Sequence, residues 1–288
     1  MATVTPISPS INAIGLSANP LALWHLLSLD APTVAVLWTW FIASSNHVHL
    51  PFSSALAMTI TVWMLYASDR LMDTLQPPDH EDLEARHYFH HRHRSAFLIG
   101  ILLTSIALAT LLPRLEPAAI HLYLVLGGLV FGYFVLIHAT HSAHRLPKEI
   151  AVGLCFAAAT FIPTVARRPD LRLSLLPSAL LFATLCSLNC LFLYKWEHED
   201  SCNNRPVHLI TRLALRNLPT LGTLLTLVSI ALMFDHNVPR IIPCAIAISA
   251  TLLLLLHRRR RAISRITLRA AADLALTTPL LLLPFLLR

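Results

Sequence analysis

The sequence predicts an all-α bundle built into a membrane, and three observations carry that expectation. Hydrophobic residues fill 56% of the 288 positions and charged residues only 13%, about half the charged share of an ordinary soluble domain. Mean hydropathy is +0.64. The apolar residues also come in long runs rather than in the alternation of a half-buried strand. No soluble core could bury so many such runs, so lipid is the expected solvent for most of the surface.

Crossing roughly 30 Å of hydrocarbon takes about 20 apolar residues, and fewer where neighbouring helices bury the ends. Runs bounded by proline and charge then predict nine spans, near residues 21–45, 52–76, 95–112, 117–139, 148–166, 174–196, 217–234, 239–257 and 267–287. The third is short and the ninth is interrupted by Arg269 and Asp273, which leaves eight as the alternative count. Residues 1–20 carry neither a basic stretch nor a compact apolar one, so they read as a short lead-in and not as a signal peptide. Residues 21–288 are then expected to form a single transmembrane domain, with no linker or second soluble unit.

Orientation follows from the basic residues. Loops and helix ends after the even spans carry Arg86, Arg92, Arg94, Arg145, Lys148, Lys195, Arg205, Arg212, Arg216, Arg258 to Arg261, Arg265 and Arg269. The opposite side carries Arg114, Arg167, Arg168, Arg172 and Arg240. Fifteen against five places the even loops and the N-terminus in the cytoplasm, with a bacterial inner membrane as the expected location. The same clustering accounts for the net charge of +7 without nucleic acid, since no basic face runs along a helix. His257 to Arg261 is most simply an anchor on anionic lipid. The five cysteines form no paired framework and no metal-binding spacing, and they read as packing residues.

Ionised carboxylates near a bilayer centre cost at least about 2.5–3.5 kcal/mol, so their placement carries information. Ten of the fifteen acids fall on the even side, most of them in two groups. The first ends span two, where Asp69 and Asp73 share a helix face at i,i+4 and Pro77 and Pro78 follow. The second ends span six, where Glu197 and Asp200 share a face at i,i+3, with Asn204 a turn further on. Two helices offering paired carboxylates to one cavity suit a hard divalent cation such as Mg²⁺, which takes oxygen ligands and is often completed by substrate phosphates. Interface charges paired with nearby arginines are the plainer alternative.

These features resemble the UbiA superfamily of intramembrane prenyltransferases. Asp69-Arg70-Leu71-Met72-Asp73 matches the DRxxD half of the first acidic motif on the family's second helix. Glu197, Asp200, Asn204 and Arg205 fall at the spacings of the second motif, on the sixth. His144 to Gly153 resembles the basic stretch that opens the family's fifth helix. The chain departs from the family by carrying Leu65-Tyr66 where the first motif begins Asn-Asp, Glu197 for one aspartate, and Asn204 for the last.

The resemblance implies a nine-helix bundle with a cytoplasmic cap over a central cavity, and an Mg²⁺-dependent prenyltransferase. Such an enzyme ionises a polyprenyl diphosphate and passes the chain to a lipophilic or aromatic acceptor. Asp69, Asp73, Glu197 and Asp200 would hold the metal. Arg70, Arg145, Lys148, Asn204 and Arg205 would face the diphosphate, where cationic donors stabilise the leaving group. Tyr66, Tyr133, Phe134, Tyr194 and Trp196 would line a dry pocket whose π-faces suit a carbocation, although aromatic belts place such residues at interfaces anyway.

The histidine-rich stretch Arg86 to His93 matches no zinc ligand set. It reads as part of the cap or as a headgroup contact, with a histidine there as a weaker candidate for proton acceptor. A terpene cyclase of the same fold is the alternative within this chemistry. A transporter and an inactive scaffold are alternatives of other classes.

Overall fold

The structure, a computed structural model, describes residues 20–73, 89–90, 92–139, 147–198, 207–235 and 239–286. Most of the cap expected between spans two and three, and the stretch carrying Asp200, Asn204 and Arg205, lie outside the described residues, as does Arg145. Of the histidine-rich stretch, His90 is described and is buried, with its Nε2 3.3 Å from the Ser28 hydroxyl and its ring stacked on Phe97. All regular elements among the described residues are helical. They are α1 (Pro20–Leu26), α2 (Asp30–Ser45), α3 (Phe52–Asp73), α4 (Arg94–Leu111), α5 (Pro117–Ala139) and α6 (Lys148–Arg167). The chain continues through α7 (Arg172–Glu197), α8 (Leu209–Arg216), α9 (Leu218–Leu232), α10 (Ile241–Arg259), α11 (Arg265–Leu274) and α12 (Pro279–Leu286).

Four helical stretches are long and apolar enough to cross a bilayer: Arg94–Arg114, Lys148–Arg167, Pro169–Glu197 and Ile241–Ala262. A fifth arises if α8 and α9, which meet at 79°, form one broken span. The protein is therefore a helical membrane protein. The helices over the second to eighth expected spans keep those boundaries within three residues. The first and ninth expected spans are each split in two.

Those two splits position the interior. After α1 the chain reverses through Ser28, whose φ of 58° lies in the left-handed region. A non-glycine residue there costs on the order of 1 kcal/mol. The reversal sets His25, near the end of α1, against Asp30, the first residue of α2. Between α11 and α12 the interrupted backbone finds partners inside the bundle. The Trp38 indole donates to the Leu276 carbonyl at 2.7 Å. Thr278 donates to the Ala245 carbonyl at 3.0 Å and shares a hydrogen bond of 2.7 Å with Ser249. A helix can break at membrane depth only where protein satisfies the freed groups in this way.

Helix α7 is the hub, packing against α6, α8, α9, α10 and α11. The largest apolar cluster joins Trp38, Phe41 and Ile42 of α2 to Phe182, Leu185 and Phe192 of α7, with Trp38 and Phe182 4.2 Å apart at their ring centroids. By contrast α4 turns Leu98, Ile99, Leu102, Leu103 and Ile106 outward, each about half exposed. Such a contiguous apolar face belongs against lipid.

Helices α6 and α7 approach most closely at Gly153. A Cβ added there would lie 2.5 Å from the Ser187 backbone nitrogen and 2.8 Å from its Cα, and neither atom can rotate away. Gly153→Ala is accordingly expected to destabilise the protein by about 1–3 kcal/mol, read as a lower midpoint of thermal unfolding in detergent. Gly128→Ala, where a Cβ meets nothing within 4 Å, is expected to be neutral or mildly stabilising.

Candidate functional site

The polar centre of the bundle is assembled from five helices. Asp30 opens α2, where the helix N-terminus favours an anion, and its Oδ1 accepts from the Ala31 backbone at 2.9 Å. Its Oδ2 lies 2.5 Å from His25 Nδ1 of α1 and 3.3 Å from the Arg70 guanidinium of α3. Arg70 also donates to the His25 carbonyl at 2.6 Å. One guanidinium thus fixes both the carboxylate and the backbone of the turn that carries its partner. Asp30 is 2% exposed, His25 3% and Arg70 7%.

A second carboxylate faces this cluster from α11. Asp273 Oδ2 lies 4.0 Å from His25 Nδ1, and its Oδ1 accepts from the Asn189 amide of α7 at 3.0 Å. One turn earlier on α11, Arg269 is ion-paired with Glu197 at the end of α7. Beside Asp273 is a cavity of about 30 Å³, lined also by Tyr66, Asn189, Cys186, Cys190 and Phe156. That volume admits water rather than a larger ligand.

The residues expected from the sequence divide by this geometry. Arg70 and Tyr66 turn inward, the first into the ion cluster and the second onto the cavity. Asp69, one residue from Arg70, is on the exposed side of α3, because successive helical residues point about 100° apart. Glu197 reaches Arg269. Trp196 donates its indole N–H to His257 Nδ1 at 2.9 Å, so it serves the packing between α7 and α10. Tyr194 stacks on His198 with centroids 4.2 Å apart. Tyr133 is part-buried on α5, and Lys148 opens α6 on an exposed position. The side chains of Asp73 and Phe134 lie outside the described residues.

Sequence reasoning missed His25, Asp30 and Asn189, and it registered Asp273 only as an interruption of the last span. The available signal was an ionisable residue inside an apolar run, which needs a buried partner. Asp30 and His25 both lie within the first expected span.

No family model, curated protein or solved structure matches the chain.

Removing one member of a buried ion pair leaves the other uncompensated, at about 3–5 kcal/mol. Arg70→Ala is expected to cost that much in unfolding free energy, because Asp30 and the His25 carbonyl both lose a donor. Combining Arg70→Gln with Asp30→Asn is expected to cost less than the sum of the single changes in a double-mutant cycle. Strict additivity would show that the two side chains do not interact.

Proposed function

We propose that the protein is an Mg²⁺-dependent intramembrane prenyltransferase of the UbiA type, with nine spans and its active face at the cytoplasmic side of a bacterial inner membrane. The observation that carries this reading is that the two acid-rich helix ends are tied to one polar centre. Arg70, from the last turn of α3, binds Asp30 and the His25 carbonyl. Glu197, the last residue of α7, pairs with Arg269, one turn from the Asp273 that faces His25. The ends of the second and sixth expected spans are thereby held through α1, α2 and α11. Lys148 opens α6, which packs directly on α7.

The described donors suit a hard cation by their chemistry. Asp69 offers carboxylate oxygens, the ligands Mg²⁺ prefers, on the exposed side of α3, whereas Glu197 is engaged by Arg269 and would share or leave that pair to bind a cation. Bound Mg²⁺ supplies charge neutralisation for a leaving diphosphate. The protein's own part is to hold the two helix ends in register, present Lys148 and the neighbouring arginines to the phosphates, and keep water from the allylic carbon. Arg70 already has a carboxylate partner, so its contribution here is to position α3.

Purified protein incubated with farnesyl or geranylgeranyl diphosphate and Mg²⁺ is expected to release diphosphate. Asp69→Asn and Asp200→Asn are each expected to slow that release by at least about a hundredfold. Undiminished Mg²⁺-dependent release in both variants would sink the site assignment. Hydrocarbon formed without an acceptor would indicate cyclisation, and turnover only with an added aromatic acceptor would indicate transfer.

A further inference from the structure

We propose that His25, Asp30 and Asp273 form a proton-binding site in the bundle interior, with Asp273 as the member that takes up the C–H proton lost when the prenyl cation is quenched. The proton-binding site stands on geometry and charge alone. The role as acceptor rests on the diphosphate chemistry proposed above.

The donor atoms of these three residues lie within 4.8 Å of one another. Two carboxylates there meet a single guanidinium, that of Arg70. Glu197 and Arg269 form an adjoining pair of no net charge. The cluster is therefore electrically neutral only when it holds one proton, and an unbalanced buried charge costs several kcal/mol. The charge of Arg269 also acts on His25 and Asp273, and with its partner Glu197 included three carboxylates face two guanidiniums, so the count of one proton stands. Of the other groups facing it, Tyr66 comes from α3, while Asn189, Cys186 and Cys190 come from α7. Helix α6 presents Val152, Gly153 and Phe156 to the cavity, and its only acid, Glu149, is engaged by Thr211 at 3.2 Å.

A metal ion fits the same atoms less well. Two ligand atoms on one tetrahedral zinc, with bonds of about 2.0–2.1 Å, sit roughly 3.3 Å apart. His25 Nδ1 and Asp30 Oδ2 are 2.5 Å apart, a hydrogen-bond contact closer than two ligands of one ion. Arg70 also occupies the same carboxylate oxygen at 3.3 Å. An independent feature marks the cavity side. Asn189 is 7% exposed, and its Oδ1 has no partner among the described residues. That carbonyl lies beside Asp273 on the cavity wall, where it can accept from a proton-bearing carboxyl or a water.

Either outcome of prenyl cation chemistry releases a proton. The allylic C–O bond breaks with its electron pair on the diphosphate, and π electrons of an acceptor ring or of the chain itself form the new C–C bond. The pair of one C–H bond then restores the double bond, and its proton passes through water in the cavity to Asp273, which has first released its own proton and stands as a carboxylate. No oxidant or reductant is needed. His25, Asp30 and Arg70 act as positioning residues that hold Asp273 in a balanced field.

The test uses the full-length protein in lipid and two readouts. Infrared difference spectra against pH are expected to show a protein carboxyl band in the wild type that is absent in Asp273→Asn and present in Asp273→Glu. With Mg²⁺ and substrate, Asp273→Asn is expected to form prenylated product about a hundredfold more slowly, with diphosphate release less affected and the basic-group limb of the pH profile lost. Asp273→Glu is expected to recover part of the rate. An unchanged infrared titration in Asp273→Asn, or a bound metal that the purified wild type holds and both Asp273→Asn and Asp30→Asn lose while Asp69→Asn keeps it, overturns the proton site. Wild-type product rates and pH profile in Asp273→Asn overturn the acceptor role while leaving the diphosphate chemistry standing. Absence of diphosphate release in the wild type itself overturns both that chemistry and the acceptor role, and the infrared titration still decides the site.

Discussion

A carboxylate in the interior of a membrane bundle has to be matched by cations, protons and hydrogen-bond donors, and Asp30 is matched by all three kinds of partner. It takes a guanidinium from α3, an imidazole from α1 and a backbone N–H from its own helix. Each partner comes with a constraint on the chain. The imidazole requires the left-handed turn at Ser28. The guanidinium requires α3 to present the residue after Asp69 inward, which leaves Asp69 outward. The N-terminal position of Asp30 in α2 sets where that helix can begin. The entry into the bundle is thus organised around one ion cluster, whose disruption would expose uncompensated charge to a low-dielectric surrounding.

The far end of the chain answers the same constraint. Helix α11 carries Asp273 and Arg269 four residues apart, so they face one way. One contacts the cluster at His25 and the other binds the end of α7. The chain breaks after α11, where Trp38 donates to the freed Leu276 carbonyl and Thr278 ties the break to α10 through the Ala245 carbonyl. Apolar packing of α2, α6, α7, α9 and α10 surrounds these links. In lipid such packing does not discriminate strongly between one apolar helix face and another, whereas a polar pair does, because its alternative is an unsatisfied group.

The arrangement gives the proposed chemistry two distinct regions. Carboxylates at the ends of α3 and α7 suit a cation and, through it, the diphosphate of that proposal. A turn or two inward, the His25–Asp30–Arg70 cluster and Asp273 border a small cavity with largely apolar walls. The cavity is of water size, so it serves proton passage beside the proposed reaction and does not hold the prenyl chain.

The long apolar runs alone determined the helices over the second to eighth expected spans. Hydrophobic length needs no partner to be read, since lipid contact depends on composition and not on neighbours. The acid-rich ends of α3 and α7 were legible for the same reason: charge terminates an apolar helix locally. The sequence did not show that Arg70 faces inward against Asp30, because that pairing spans forty residues and depends on the turn at Ser28. Nor did it show that Asp273 joins His25 and Asn189, three residues from three different helices. The ninth span showed its charged interruption at Arg269 and Asp273 but not where the helix ends, and the first showed only Asp30 beside its break. Tertiary structure decided these points because a buried polar group is specified by whatever comes to face it, and only the folded bundle brings those partners within hydrogen-bond distance.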